Sequence, residues 1–151
     1  MDKYINGGRY FSIVYQISAL AAAGAVELGL TAPATGNIHL LPFSVSTSAN
    51  TVQASLYENI SYTGGSAVTP VNLNRNTSAA ATLTASKGAT ATTSGTPLDT
   101  VMATTSSGTV KSSLPTIVLD QGILYVLEIT NIGATTATNV DVVVTFYERD
   151  V

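Results

Sequence analysis

Apolar and polar residues alternate with a period of two along most of this chain, and no stretch carries a helical period long enough to compete. The pattern is clearest towards the C-terminus. There Val140, Val142, Val144 and Phe146 fall on one side of an extended backbone, while Asp141, Thr145 and Tyr147 fall on the other. Ile123, Tyr125, Leu127 and Ile129 do the same opposite Glu128 and Thr130. Successive side chains of a strand point to opposite faces, so each segment has one face to bury and one to show. Further candidate strands lie at 10–19, 25–31, 37–47, 51–60, 97–104 and 116–119, separated by turn residues such as Pro33, Gly36, Gly64, Gly65, Gly95, Gly108, Gly122 and Gly133. About eight short strands at this spacing predict an all-β fold, an antiparallel β-sandwich of jelly-roll type with two sheets packed face to face.

At 151 residues the chain reads as one domain over 1–151, long enough to hold a core without metals or crosslinks. Two segments are expected to leave that core. Residues 1–9, with Tyr4, Gly7, Gly8 and Arg9, form an N-terminal arm ahead of the first strand. Residues 71–95 are poor in large apolar side chains and rich in Ala, Thr, Ser and Asn, which predicts a protruding segment, either a long loop or a long, weakly patterned hairpin, with an extended loop or edge strand within 78–91. The apolar run over 10–30 invites comparison with a signal peptide or membrane span. Ser12, Gln16, Ser18 and Glu27 interrupt it, and Phe11, Ile13, Tyr15, Ile17 and Ala19 alternate with Ser12, Val14, Gln16 and Ser18, so strands are expected and a membrane is not.

Charge narrows the function classes. The chain has 6 Lys and Arg against 9 Asp and Glu, and only 10% of its residues are charged, whereas 45% are hydrophobic. Lys3, Arg9, Arg75, Lys87, Lys111 and Arg149 are scattered in sequence, which excludes nucleic acid as the expected partner, because phosphate binding needs clustered cations. About a quarter of the residues are Ser or Thr, so the polar surface is hydroxylic more than ionic and is easily buried against a neighbour. That composition points to an assembled protein.

Candidate chemistry is sparse. With no Cys, thiolate metal sites and Cys nucleophiles are excluded, and His39 is the only histidine, placed inside the apolar pattern Ile38-His39-Leu40-Leu41. No catalytic residue, metal ligand or cofactor is expected. Two further readings rest on surface residues: Glu27, Glu58 and Glu128 as a paired-carboxylate site, and Tyr57 and Tyr62, with His39, as a sugar-binding face. The segment Leu56-Tyr57-Glu58 to Asn74-Arg75-Asn76 is a strand, a glycine turn and a polar loop. Its Arg75 offers five donors in a planar fork suited to carbonyls and carboxylates across a subunit boundary, and the same Asn-Arg-Asn triplet also suits satisfying the backbone of its own loop.

The order SIVYQISALAAAGAVELGL, IHLLPFSVSTS, LYENISYTGGSAVTPVNLNRNTS, a Thr- and Ser-rich middle, then LDQGILYVLEITNIG and VDVVVTFYE resembles the auxiliary head proteins of tailed bacteriophages, the decoration or cement proteins of the capsid exterior. The resemblance runs from Ser12 to Glu148 and is poorest over 79–94. It implies a structural virion protein, not an enzyme, that binds the assembled shell of major capsid protein from outside, as a homotrimer, and reinforces it. The alternative is a carbohydrate- or receptor-binding head-fibre module on the same fold. Interface candidates are Arg9, Tyr10, Asn74, Arg75 and Asn76.

Overall fold

The computed structural model describes residues 9–149. In chain order the strands are β1 (Tyr10–Leu20), β2 (Ala25–Thr31), β3 (Asn37–Leu40), β4 (Ser44–Thr47), β5 (Val52–Glu58), β6 (Tyr62–Thr63) and β7 (Ser66–Val68). They continue with β8 (Val71–Asn72), β9 (Thr84–Ala91), β10 (Asp99–Ala103), β11 (Val110–Lys111), β12 (Ile117–Leu119), β13 (Leu124–Asn131) and β14 (Thr138–Arg149). Among the described residues there is no helix. Two antiparallel sheets share the strands. Sheet A runs β11-β4-β14-β1-β8, with β3 paired to the C-terminal part of β14 and β12 paired to β3. Sheet B runs β10-β5-β13-β2-β9-β6, with β7 also on β9.

The two clearest alternating segments became the two central strands. β14 pairs with β1 on one side and with β3 and β4 on the other, while β13 lies between β2 and β5. Their inward residues meet in one core: Phe11, Ile13, Val142, Val144 and Phe146 from sheet A, and Leu28, Leu30, Leu56, Leu127 and Ile129 from sheet B. Phe11 and Phe146 stack at 5.4 Å between ring centroids.

Three departures from the simple alternation have local causes. Ala19 takes a left-handed φ of 52°, and the register on β14 shifts between Ile17 and Leu20, so Leu20 fills the inward place expected of Ala19. The expected strand at 37–47 is split at Leu41-Pro42-Phe43, because proline has no N–H for the ladder; Phe43 turns in and is 2% exposed. The expected protruding segment at 71–95 is interrupted by β9, which pairs with β2 from Thr31↔Thr84 to Glu27↔Ala89. Small residues suffice there, since Ala85 is buried beside the core and one extra residue, Gly88 at φ 63°, bulges between Lys87 and Ala89.

Close packing on the outside of sheet B also needs a glycine. A Cβ on Gly29 would stand 2.5 Å from the Tyr62 ring, whose hydroxyl shares a 2.6 Å hydrogen bond with Thr31 Oγ1. Tyr62 thereby covers the centre of that face.

Candidate functional site

The fold brings together the two separate interface candidates of the sequence. β8 pairs antiparallel with the start of β1, Phe11 opposite Asn72, and the Leu73 amide donates to the Tyr10 carbonyl at 2.8 Å. The loop carrying Asn74, Arg75 and Asn76 therefore follows directly beside Arg9 and Tyr10. Its shape is held by its own amides. Asn72 Oδ1 accepts from the Asn74 amide at 2.9 Å, Asn74 Oδ1 accepts from the Asn76 amide at 3.1 Å, and Asn72 Nδ2 donates to Thr77 Oγ1 and the Ala79 carbonyl at 3.1 and 3.0 Å. Short amide side chains that bind the backbone two residues on are the usual way to fix such a turn. Asn74 is buried in doing so, whereas Arg75 is exposed.

The strand end beside this loop holds a buried carboxylate. Glu148 is 2% exposed, on the inward phase of β14 that also carries Val144 and Phe146. Its Oε1 accepts from the Thr82 amide at 2.6 Å, the Thr82 hydroxyl at 2.9 Å and the Leu83 amide at 3.2 Å. Its Oε2 lies 3.6 Å from Arg9 Nη2. Residues 79–83 cross here from sheet A to β9 in sheet B, so one carboxylate fastens the crossover, the end of β14 and Arg9 together. A cleft of about 530 Å³ opens at this point, lined by Arg9, Asn37, Thr82, Gln121, Glu148 and Arg149, among others. The chain's three arginines, Arg9, Arg75 and Arg149, thus all sit at one end of sheet A, although sequence separates them widely.

The remaining sequence candidates fall elsewhere. His39 stands on β3 with its ring stacked on Tyr147 at 4.5 Å and 8°. Burial, then the Arg149 charge, hold its pKa below the ordinary histidine value. Tyr57 and Tyr62 belong to sheet B, so His39 does not share a face with them, and the proposed three-residue sugar platform is corrected to two residues, one of which covers Gly29. Glu27 and Glu128 lie directly opposite each other on β2 and β13, and Thr93 Oγ1 donates to Glu128 Oε2 at 2.6 Å. Burial first and Glu128 second push the Glu27 carboxyl above the usual carboxylate range. Glu58 is apart from them, accepting at 2.9 Å from the Tyr125 hydroxyl, which in turn accepts from the Asp120 amide at 2.8 Å. Burial, the Glu58 hydrogen bond and the nearby carboxylates outweigh that amide and push the Tyr125 hydroxyl up to about 12. Among the described residues no group of three or more His, Cys, Asp or Glu stands together to hold a metal ion.

Glu148 and Arg149 escaped the sequence reading of the site. A signal for Glu148 was present, because it continues the inward series 140, 142, 144, 146, where a carboxylate requires buried partners. Comparison with known proteins adds no identity: no family model, curated protein or solved structure matches the chain.

Proposed function

We propose that this chain is a structural virion protein that binds the outside of an assembled bacteriophage capsid and stabilises it through contacts to the major capsid protein, without catalysis or a cofactor. The observation that carries the reading is the arginine end. A net acidic, charge-poor chain collects its three arginines beside a loop already fixed by its own asparagines, so Arg75 is presented at little ordering cost. Carboxylates and carbonyls on a shell surface are the natural partners of such guanidinium forks. Many copies on one shell then act by multivalency, so no deep pocket is needed.

The fold reading is of the jelly-roll type. The principal strands order as β1-β14-β3/β4-β11/β12 in one sheet and β2-β13-β5-β10 in the other, and the chain passes repeatedly between the sheets, which supports that topology. The test of function is co-sedimentation of the purified chain with expanded shells of the same virion's major capsid protein. Saturable binding that weakens in Arg75→Ala, with unchanged far-UV circular dichroism, is expected. A chain that stays in the supernatant at all concentrations refutes the proposal.

A further inference from the structure

The outer face of sheet A carries exposed valines among uncharged polar residues such as Ser12, Ser44 and Thr145. Val14, Val71 and Val118 are 46%, 50% and 52% exposed there. Tyr10, Tyr147 and His39 form one cross-strand row on the same face, with Val118 at its end. The formal charges are peripheral: Asp141 and Arg149 on β14, and Lys111 on the short edge strand. Asp141 is flanked in the sheet by Gln16 and Ser46, and Arg149 by Asn37, so neither meets an opposite charge across the ladder. Among the described residues the ion pair Arg9–Glu148 involves neither of them.

These two charges stand symmetrically. Residues 141, 143, 145, 147 and 149 all point outward from β14, and Thr145 is their midpoint. A two-fold axis lying in the plane of the face, across the strands at Thr145, maps Asp141 onto Arg149 and Val143 onto Tyr147. Val14 pairs with Val143 and Tyr10 with Tyr147 in the same sheet, so the axis also maps Tyr10 onto Val14. Val71 lies level with Ser12 and Thr145, hence beside the axis, against its own symmetry mate.

We propose that this face docks a second copy of the same chain, β14 over β14 and antiparallel, with Asp141 of each copy facing Arg149 of the other. The face is about 26 Å long over eight residues and about 20 Å wide over five strands, so roughly 1,000 Å² is covered in total, near the lower bound of a specific interface. Packed twisted sheets cross at about 30°, which separates the facing strand ends by about 7 Å, a gap an extended arginine spans. The interface is self-complementary, and three copies around a three-fold axis cannot all use it; this departs from the trimer that the phage resemblance implies. It needs no shell, so it stands or falls independently of the proposed function.

Sedimentation equilibrium of the full chain over two decades of concentration tests it. A mass approaching twice the 15.5 kDa of the chain is expected. Asp141→Arg and Arg149→Asp each raise the dissociation constant tenfold or more at low salt, and the double reversal returns it to within about threefold, since both symmetry-related charge pairs are rebuilt with their signs exchanged. Val71→Lys abolishes the dimer while leaving far-UV circular dichroism unchanged, and its urea midpoint matches that of the unsubstituted chain when both are measured far below the dissociation constant, where both are monomers. A monomer or trimer at all concentrations, single reversals without effect, or a double reversal no better than the singles overturns the proposal.

Discussion

Replacing Glu148 by alanine removes the acceptor for three donors at once, the Thr82 amide, the Thr82 hydroxyl and the Leu83 amide, and leaves Arg9 without the carboxylate 3.6 Å from it. Hydrogen bonds to a charged group contribute about 1.5–3 kcal/mol each, but water reaches the freed amides as residues 79–83 relax, so the losses do not add. Breaking one side of a buried ion pair costs about 3–5 kcal/mol, a large share of the 5–15 kcal/mol that holds an ordinary domain folded. In a chain of this size that lowers Tm by roughly 6–20 °C. Glu148→Gln is the informative control. Its carbonyl oxygen still accepts all three bonds, and only the Arg9 contact is lost, for about 1–2 kcal/mol. Urea unfolding measures both, and hydrogen exchange at the Thr82 and Leu83 amides locates the damage. An alanine variant that loses less than about 1 kcal/mol, or a glutamine variant as damaged as alanine, refutes the fastener role of Glu148.

Gly29→Ala drives a Cβ into the Tyr62 ring and costs about 1–3 kcal/mol, and Tyr62→Ala in the same chain recovers part of that loss, as urea midpoints of the two singles and the double will show. Tyr125→Phe leaves the Asp120 amide without its acceptor and Glu58 without its donor, and lowers stability by about 1–2 kcal/mol in the same assay. Glu27 holds its proton more tightly folded than unfolded, so its charge opposes folding at neutral pH, and that opposition is relieved as pH falls through its raised folded pKa towards 4.5. Glu27→Gln accordingly raises stability at pH 7 by about 0.2–1 kcal/mol and flattens this dependence. His39 has the opposite sign: its lowered folded pKa makes its contribution complete above 6.5 and lost as pH falls through its folded value, which His39→Gln removes.

Much of the fold was legible because strand periodicity reports burial directly. The inward and outward sets of β14 follow the alternation of the sequence residue by residue, and those of β13 do so except at Val126, which is buried on the outward phase. The pattern failed where no large side chain marks a strand: β9 buries Ala85 and Ala89, and Gly88 bulges out of register. It failed also at two- and three-residue strands, whose existence depends on a neighbour. β8 is the important case, since its two residues bring the Asn74–Asn76 turn against β1. The candidate site was legible as separate pieces only. Arg9, Arg75 and Arg149 look scattered along the chain, and a sequence pattern carries the phase of a strand but not which strand end lies beside which.

Binding to capsid shells decides the functional reading. Expanded shells of the same virion's major capsid protein, stripped of accessory proteins and titrated with this chain in a sedimentation assay, should take it up saturably to a fixed number of copies. The loaded shells should then resist a heat or chelator challenge that disrupts bare ones, and Arg75→Ala should shift both curves to higher concentration. No uptake by intact expanded shells, or uptake that leaves their resistance unchanged, contradicts a stabilising role on the capsid exterior.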